Sequence, residues 1–219
     1  MKVVAYVPLK LNNERLPNKN TKLFDNGRPL LSYIFETLIR TREIDDIYAY
    51  CSDNSICQYL PEKVKYLSRS TELDRSETLI NDVMLAFAND VIADVYVLAN
   101  ATVPFMSSSS IEVGIKKVVN ENYDSALTVV AHRDFFWLKE KPFNYDPSSI
   151  PRTQDMEPIY SETTGLYIYQ RNILIEQNRR VGNHPFLIPV TKIEAIDIND
   201  PIDFVIANAI VKELERKKY

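Results

Sequence analysis

The chain opens with an apolar run at residues 3–7, which breaks at Pro8 into a polar and basic loop. A continuous β-rich apolar run is typical of a strand that is buried on both faces of a sheet. In α/β folds, ligands bind in the loops at the carboxyl edge of such strands. Amide and cationic side chains follow the run at Lys10, Asn12, Asn13, Arg15 and Lys19. These donors predict a phosphate site, although their spacing alone also fits a solvated basic surface loop.

Composition limits the kinds of ligand and environment that we expect. With 219 residues and 45% hydrophobic content, one globular domain spanning 1–219 is predicted. The net charge of −4 argues against a nucleic-acid partner. Cys51 and Cys57 lie outside any metal-binding spacing, which favours reduced thiols in a cytoplasmic protein. No apolar run approaches the about 20 residues of a membrane span, so no membrane partner is expected.

Strand and helix patterns alternate along the chain, which predicts a mostly parallel, Rossmann-like α/β sheet covered on both faces. Strand patterns occur at residues 3–7, 46–52, 63–67, 94–99, 125–131, 165–170, 186–190 and 193–198. Helix patterns occur at residues 29–42, 77–88, 107–122, 172–178 and 201–217. Residues 134–158 are rich in aromatic residues and proline and fit neither pattern, so we expect a lid or an arm that packs on a partner subunit. Neither GxGxxG nor GxxxxGK[ST] is present, which leaves dinucleotide and Walker-type sites without support.

Residues 7–20, VPLKLNNERLPNKN, resemble the signature loop of the sugar cytidylyltransferases, enzymes that activate acidic sugars as CMP conjugates. The half RLPNKN matches well, whereas Lys10 stands where the family usually has arginine and Asn13 where it has serine. Further segments resemble family motifs in the expected order: RSTEL with Ser76 (69–76), LANATVP (98–104), RTQD followed by GLYI (152–168), and DINDPIDF (197–204).

The resemblance implies a fold of nucleotide-diphospho-sugar transferase type with a small protruding dimerisation arm at about residues 134–165. It also implies a homodimer in which this arm reaches the partner's active site. The implied reaction transfers CMP from CTP to the anomeric hydroxyl of an acidic 2-keto sugar, a nonulosonic acid of sialic, legionaminic or pseudaminic type, and releases pyrophosphate. There are two alternatives. The acceptor is Kdo-like or another non-sialic sugar, or the protein binds CTP without transfer activity.

Residue roles follow from the matched motifs. The implied catalytic residues are Lys10, Arg15, Lys19 and Asp197. The implied nucleotide-binding residues are Pro8, Leu9, Asn12, Asn13, Asn20, Arg69, Ser76, Asn100 and Thr102. The implied acceptor-binding residues are Arg152, Gln154, Glu162 and Tyr167. Mg²⁺ is the implied cofactor, with Asp197 and Asn199 as its ligands; the family has a second aspartate where this chain has Asn199.

Three acidic residues have alternative interpretations from local chemistry. Asp200 precedes Pro201 and fits a helix N-cap, the interpretation that we favour. Asp203 falls in the first helical turn, where the macrodipole favours a carboxylate. Glu162 could bind a hydroxyl or amino group of the acceptor, or it could form an ion pair with Arg152 or Arg171. By contrast, Asp197 ends the strand-like run 193–198 and has no structural explanation of this kind.

Overall fold

A computed structural model describes residues 1–216, so the predicted helix end at Lys217 lies outside the described residues. The strands are β1 (Val3–Leu9), β2 (Asp46–Cys51), β3 (Lys65–Ser68), β4 (Val95–Ala99), β5 (Ser125–His132), β6 (Trp137–Leu138), β7 (Lys141–Pro142), β8 (Ile159–Gln170) and β9 (Pro185–Pro189). The helices are α1 (Leu30–Arg40), α2 (Ile80–Asp90), α3 (Ser108–Asn120), α4 (Arg171–Gln177) and α5 (Pro201–Arg216).

The central sheet has seven strands within the described residues, in the order β3-β2-β1-β4-β8-β5-β9. Strand β8 runs antiparallel to both of its neighbours, β4 and β5, and the other neighbouring strands are parallel. The short strands β6 and β7 form a separate hairpin. The predicted mostly parallel α/β sheet is therefore confirmed.

Strand β1 lies at the centre of the sheet and alternates between two apolar cores. Val3, Ala5 and Val7 face the core that α1 and α3 cover, whereas Val4 and Tyr6 face the core formed with α2 and α4. The buried Tyr6 hydroxyl shares a 2.7 Å hydrogen bond with that of Tyr169. This pairing matters because an unpaired buried hydroxyl would destabilise the fold. Burial on both faces confirms the interpretation of the opening run.

The predicted strand at 193–198 is wrong, because residues 192–195 form a turn and residues 196–200 have no regular structure. The backbone N–H groups of Ala195 and Ile196 donate within the turn, to Thr191 O at 3.1 Å and Ile193 O at 3.2 Å. These two donors are therefore used locally and do not form a ladder. Its apolar residue Ile198 is buried in a small core with Leu16 and Phe204, away from the sheet.

Strand β8 begins at Ile159, earlier than the predicted start at residue 165, so the irregular part of the predicted arm ends at residue 158. The N-terminal half of β8 pairs with the end of β5, and the register is interrupted between Leu127 and Val129. The side chains of this N-terminal half are largely exposed and polar. The apolar pattern of the sequence therefore does not indicate this part of the strand.

Helix α5 begins with a reciprocal cap. Asp200 Oδ1 accepts hydrogen bonds from the backbone N–H groups of Ile202 at 2.9 Å and Asp203 at 3.1 Å. In return, Asp203 Oδ2 accepts from the N–H groups of Asp200 at 3.1 Å and Asn199 at 2.8 Å. This arrangement is a capping box, so the N-cap interpretation of Asp200 is confirmed. No helix within residues 1–216 is long and apolar enough to cross a membrane.

Candidate active site

The basic loop leaves β1 at Leu9 and folds back on itself. Asn20 is buried, and its Nδ2 donates to the carbonyl oxygen of Lys10 at 2.9 Å. Asn18 adopts a left-handed conformation with φ 53°, which asparagine tolerates better than most residues. Leu16 is buried against Ile198, the residue that follows Asp197. The loop is thereby tied to the segment before α5.

A cavity of about 300 Å³ opens between this loop, the residues before α2 and the segment before α5. Its lining residues are Lys10, Asn13, Glu14, Arg15, Leu16, Lys19, Ser76 and Asn199. The structure therefore brings together most of the predicted catalytic residues and several of the predicted nucleotide-binding and metal-binding ones. We call this space the basic cleft.

A chain of hydrogen bonds crosses the basic cleft. Arg15 Nη2 donates to Asn199 Oδ1 at 3.0 Å, and Asn199 Nδ2 donates to Asp197 Oδ2 at 2.9 Å. Thr164 Oγ1 on β8 donates to the same Asp197 oxygen at 3.1 Å. The other oxygen, Asp197 Oδ1, is buried and has no hydrogen-bond partner within residues 1–216. One carboxylate oxygen is therefore held in place by hydrogen bonds, and the other is buried without a partner among the described residues.

Lys19 donates from Nζ to the carbonyl oxygen of Ile198 at 2.8 Å. Burial lowers the pKa of Lys19; the nearby Asp197 opposes this shift, and the cation of Arg15 adds to it. A half-buried ammonium among other cations is electrostatically unfavourable in the free protein. A bound anion would relieve this repulsion, which makes the basic cleft chemically suited to phosphate groups.

Glu194 anchors the segment that carries Asp197. Its Oε1 accepts hydrogen bonds from Ser107 Oγ at 2.6 Å and Ser110 Oγ at 2.7 Å, at the start of α3. Its Oε2 accepts from Thr191 N at 3.1 Å and Thr191 Oγ1 at 3.0 Å. Burial opposes ionisation of Glu194, but these hydrogen bonds outweigh it and hold the pKa of Glu194 below its usual value.

The remaining predicted nucleotide-binding residues do not line the cavity of the basic cleft. Arg69 is buried and forms an ion pair with Asp74 at 2.5 Å, so its charge is already compensated. Asn100 Nδ2 donates to the carbonyl oxygen of Thr164 at 2.6 Å. The carbonyl oxygen of Thr102 accepts from Ile198 N at 2.9 Å. Pro8 and Leu9 are the last residues of β1, and Asn12 is exposed in the loop.

Two of the predicted acceptor residues lie apart from the basic cleft. Arg152 and Gln154 are exposed at a short 3₁₀ helix, Thr153–Asp155, beyond the β6–β7 hairpin. Arg152 Nε lies 3.4 Å from Asp155 Oδ2. Within one copy of the chain neither residue lines the cavity. Their roles stay predictions.

The other two acceptor residues form a cluster with Arg180, which the sequence analysis missed. The Tyr167 hydroxyl donates to Glu162, and Arg180 Nη2 lies 3.3 Å from Glu162 Oε1 and 3.0 Å from the Tyr167 hydroxyl. The Arg180 guanidinium also stacks 3.7 Å from the centre of the Tyr167 ring. The predicted pairing of Glu162 with Arg152 or Arg171 is therefore wrong. Arg171 instead donates to the carbonyl oxygen of Ala88 at 2.6 Å.

The donor set near Asp197 fits a magnesium ion that binds through a single protein carboxylate. No group of three or more His, Cys, Asp or Glu side chains converges anywhere in the described part of the chain. Asp197 Oδ1 is a hard oxygen donor without a partner there, and Mg²⁺ is commonly bound by one or two carboxylates together with substrate phosphates and water. The amide oxygen of Asn199, the second predicted ligand, accepts the hydrogen bond from Arg15.

Comparisons with known proteins give the family of the chain. Over 97% of both chains, the sequence is 24% identical to the CMP-N,N'-diacetyllegionaminic acid synthase of Legionella pneumophila. The fold is similar to a CMP:2-keto-3-deoxy-manno-octonic acid synthetase solved with CTP, at 15% identity and a TM-score of 0.72 over 97% of this chain and 99% of that one. It is also similar to the 4-diphosphocytidyl-2C-methyl-D-erythritol synthase of Anaerococcus prevotii, at 14% identity and a TM-score of 0.67 over 96% of each chain. The cytidylyltransferase family model matches residues 4–214, and the chain belongs to that family.

Proposed function

We propose that this cytidylyltransferase transfers CMP from CTP to the anomeric hydroxyl of an acidic 2-keto sugar, a nonulosonic acid of sialic, legionaminic or pseudaminic type, and releases pyrophosphate. The observation that carries the proposal is the hydrogen-bonded chain to Asp197 from Arg15 and Asn199, which line the basic cleft together with Lys10 and Lys19. The full-length similarity to a legionaminic acid synthase favours this class of acceptor.

In the proposed reaction, the sugar hydroxyl attacks the α-phosphorus of CTP in line with the leaving group. A bond forms between the sugar oxygen and the α-phosphorus, the hydroxyl proton passes to water, and the bond from that phosphorus to the bridging oxygen breaks. Pyrophosphate leaves with the electron pair, so negative charge accumulates on it. Lys10, Arg15 and Lys19 would neutralise this charge and hold the triphosphate, since catalysis of phosphoryl transfer rests on positioning and charge stabilisation.

We also propose that Asp197 holds Mg²⁺ through Oδ1. When bound, the ion would polarise the α-phosphate and lower the pKa of the attacking hydroxyl. The hydrogen bonds from Asn199 and Thr164 to Oδ2 orient this carboxylate before any ligand arrives. The protein's own contribution is therefore a pre-oriented carboxylate beside three cations.

The acceptor would lie along the N-terminal half of β8, beyond Thr164. Glu162 alone would repel a sugar carboxylate, but its ion pair with Arg180 compensates that charge. Arg152 and Gln154 lie on the arm, so we propose that they act at the cleft of a second copy.

A homodimer is consistent with the surface of the arm. Trp137, Leu138, Phe143 and Ile150 are 57–66% exposed. Exposed apolar patches of this kind commonly mark protein interfaces. Sedimentation at micromolar concentration should therefore give the mass of two chains, and the mass of one chain would refute this part of the proposal.

Pyrophosphate release is the decisive assay. CTP and the other nucleoside triphosphates are tested with Mg²⁺ against N-acetylneuraminate, legionaminate, pseudaminate, Kdo and 8-amino-Kdo. Release with CTP and one nonulosonic acid supports the proposal. Release only with Kdo or 8-amino-Kdo would refute the proposed nonulosonic acid acceptor, and the proposed CMP transfer would stand. CTP binding without release from any acceptor in the panel would favour a nucleotide-binding protein without transfer activity.

A further inference from the structure

Glu162, Tyr167 and Arg180 form a cluster that does not use all of its hydrogen-bonding groups, and we call it the β8 cluster. The Tyr167 hydroxyl and Arg180 Nη2 both donate to Glu162 Oε1, the latter at 3.3 Å. Within residues 1–216, no hydrogen bond reaches Glu162 Oε2 or leaves Nε or Nη1 of Arg180. The Glu162 side chain is 48% exposed and that of Arg180 is 27% exposed, so a ligand can approach the pair. The cluster therefore offers one accepting oxygen beside donating N–H groups.

The β8 cluster is held in this arrangement before any ligand binds. Tyr167 is buried, and the Arg180 guanidinium stacks 3.7 Å from the centre of its ring. Burial raises the pKa of Tyr167, and the hydrogen bond to Glu162 adds to this shift. The hydroxyl therefore stays protonated at neutral pH and keeps Glu162 Oε1 in place. Side chains that are oriented in advance lose less conformational entropy when a ligand binds.

Charge decides which chemical groups suit this pair. The Glu162 carboxylate and the Arg180 guanidinium lie 3.3 Å apart and compensate each other. A sugar carboxylate would be attracted by Arg180 but repelled by Glu162, and an ammonium group would meet the reverse. An uncharged hydroxyl or acylamino group both donates and accepts hydrogen bonds, so it meets neither repulsion.

The position of the β8 cluster relates it to the far end of the acceptor. Glu162 precedes Thr164 by two residues on β8, so their Cα atoms are at most about 7 Å apart. Their side chains contact different partners, because Thr164 donates to Asp197 whereas Glu162 contacts Arg180 and Tyr167. In the proposed acceptor, the carboxylate and the attacking hydroxyl share the anomeric carbon, so both stay at the reacting end. A substituent several bonds away fits the β8 cluster.

We infer that the β8 cluster is a specificity site that binds an uncharged hydrogen-bonding substituent of the acceptor, remote from the anomeric carbon, and not the sugar carboxylate. Glu162 Oε2 accepts from an O–H or N–H of that substituent, and Arg180 donates to its oxygen. This inference rests on the proposed function, because it places a nonulosonic acid in the site. Acylamino groups and side-chain hydroxyls of such sugars share the chemistry that the cluster recognises.

The acceptor KM of the Glu162→Gln protein tests the inference by the sign of its change. The variant keeps the shape of the side chain and removes its charge. In pyrophosphate release, the KM for the best of N-acetylneuraminate, legionaminate and pseudaminate should rise about five- to tenfold, because hydrogen bonds to charged acceptors are stronger than those to neutral ones. The KM for CTP should stay unchanged. If Arg180 instead binds the sugar carboxylate, removing the charge of Glu162 lowers the acceptor KM, and that result would overturn the inference.

A matched control and two acceptor analogues complete the test. Glu121→Gln removes an exposed, ion-paired carboxylate outside the basic cleft and should change neither KM. One analogue has hydrogen in place of the acylamino groups, and the other lacks the terminal carbons of the side chain. The rise in KM caused by Glu162→Gln should vanish with the analogue that lacks the recognised group and persist with the other.

Three results would overturn the inference: an unchanged acceptor KM, a rise that persists with both analogues, or equal rises for the acceptor and CTP. The last of these would indicate a structural role of Glu162. No pyrophosphate release by the wild type with any nonulosonic acid would refute the proposed function itself, and the inference would fall with it.

Discussion

Glu194 offers the sharpest test of how the segment containing Asp197 is held. The substitution Glu194→Gln keeps the size of the side chain and removes its charge. If the amide oxygen stays with Ser107 and Ser110, the new NH₂ group faces the backbone N–H of Thr191. In the wild type, this N–H donates to Glu194 Oε2 at 3.1 Å. Two donors then oppose each other, and the hydroxyl of Thr191 cannot fully compensate because it already accepts from Glu194 N at 3.2 Å.

The expected cost follows from the bonds that change. One hydrogen bond to a charged acceptor is lost, and such bonds contribute about 1.5–3 kcal/mol. We therefore expect the free energy of unfolding to fall by about 2 kcal/mol at neutral pH, which lowers the melting temperature by about 4–8 °C for a chain of this size. Because the pKa of Glu194 is lowered from 4.5, its stabilisation is complete above that value and is lost as the pH falls through the folded-state pKa. The difference between wild type and variant should shrink accordingly in acid.

Thermal and urea unfolding at several pH values measure this difference. Glu121→Gln is the matched control, because Glu121 forms an exposed ion pair with Lys117 at 2.7 Å. Exposed pairs of this kind contribute about 0–1 kcal/mol. A Glu194→Gln protein that unfolds like the Glu121→Gln protein at neutral pH would refute the anchoring role of Glu194. A difference that persists unchanged below the pKa would refute its electrostatic origin.

Three further predictions concern the cleft and the core. Asp197→Asn should abolish pyrophosphate release while thermal unfolding stays close to wild type, and an active variant would remove Asp197 from the mechanism. Because burial lowers the pKa of Lys19, the affinity for CTP measured by calorimetry should weaken with rising pH before an ordinary lysine titrates. The Lys19→Arg protein should retain its affinity over the same pH range. The same pH dependence of CTP affinity in both proteins would contradict this role of Lys19. Gly114→Ala would place a Cβ atom 2.6 Å from the Cδ1 atoms of both Ile168 and Ile188, so urea unfolding should show a loss of about 1–3 kcal/mol. A more stable variant would show that helix propensity outweighs this overpacking.

Local patterns in the sequence were sufficient to predict the α/β class, the buried first strand and the cap of α5. Each of these depends on neighbouring residues: an apolar run is buried on both faces, and Asp200 reaches N–H groups only two and three residues ahead. The strand predicted at 193–198 failed for a related reason. Its apolar residues fit a strand, but the partners of its backbone N–H groups are not encoded in that pattern.

The contacts that make the site depend on how distant segments pack together. The sequence marked Arg15, Asp197 and Asn199 as candidates through their motifs, but Arg15 and Asn199 are separated by 184 positions, and only the folded chain places them 3.0 Å apart. The contacts of Glu194 with α3 and of Arg180 with β8 were likewise invisible, since those partners come from other elements of the fold. The residue types and their order specify which groups are available and which elements they follow. Packing of α5 and Leu16 around Ile198 determined which of those groups meet, because that core brings the basic loop and the segment before α5 together.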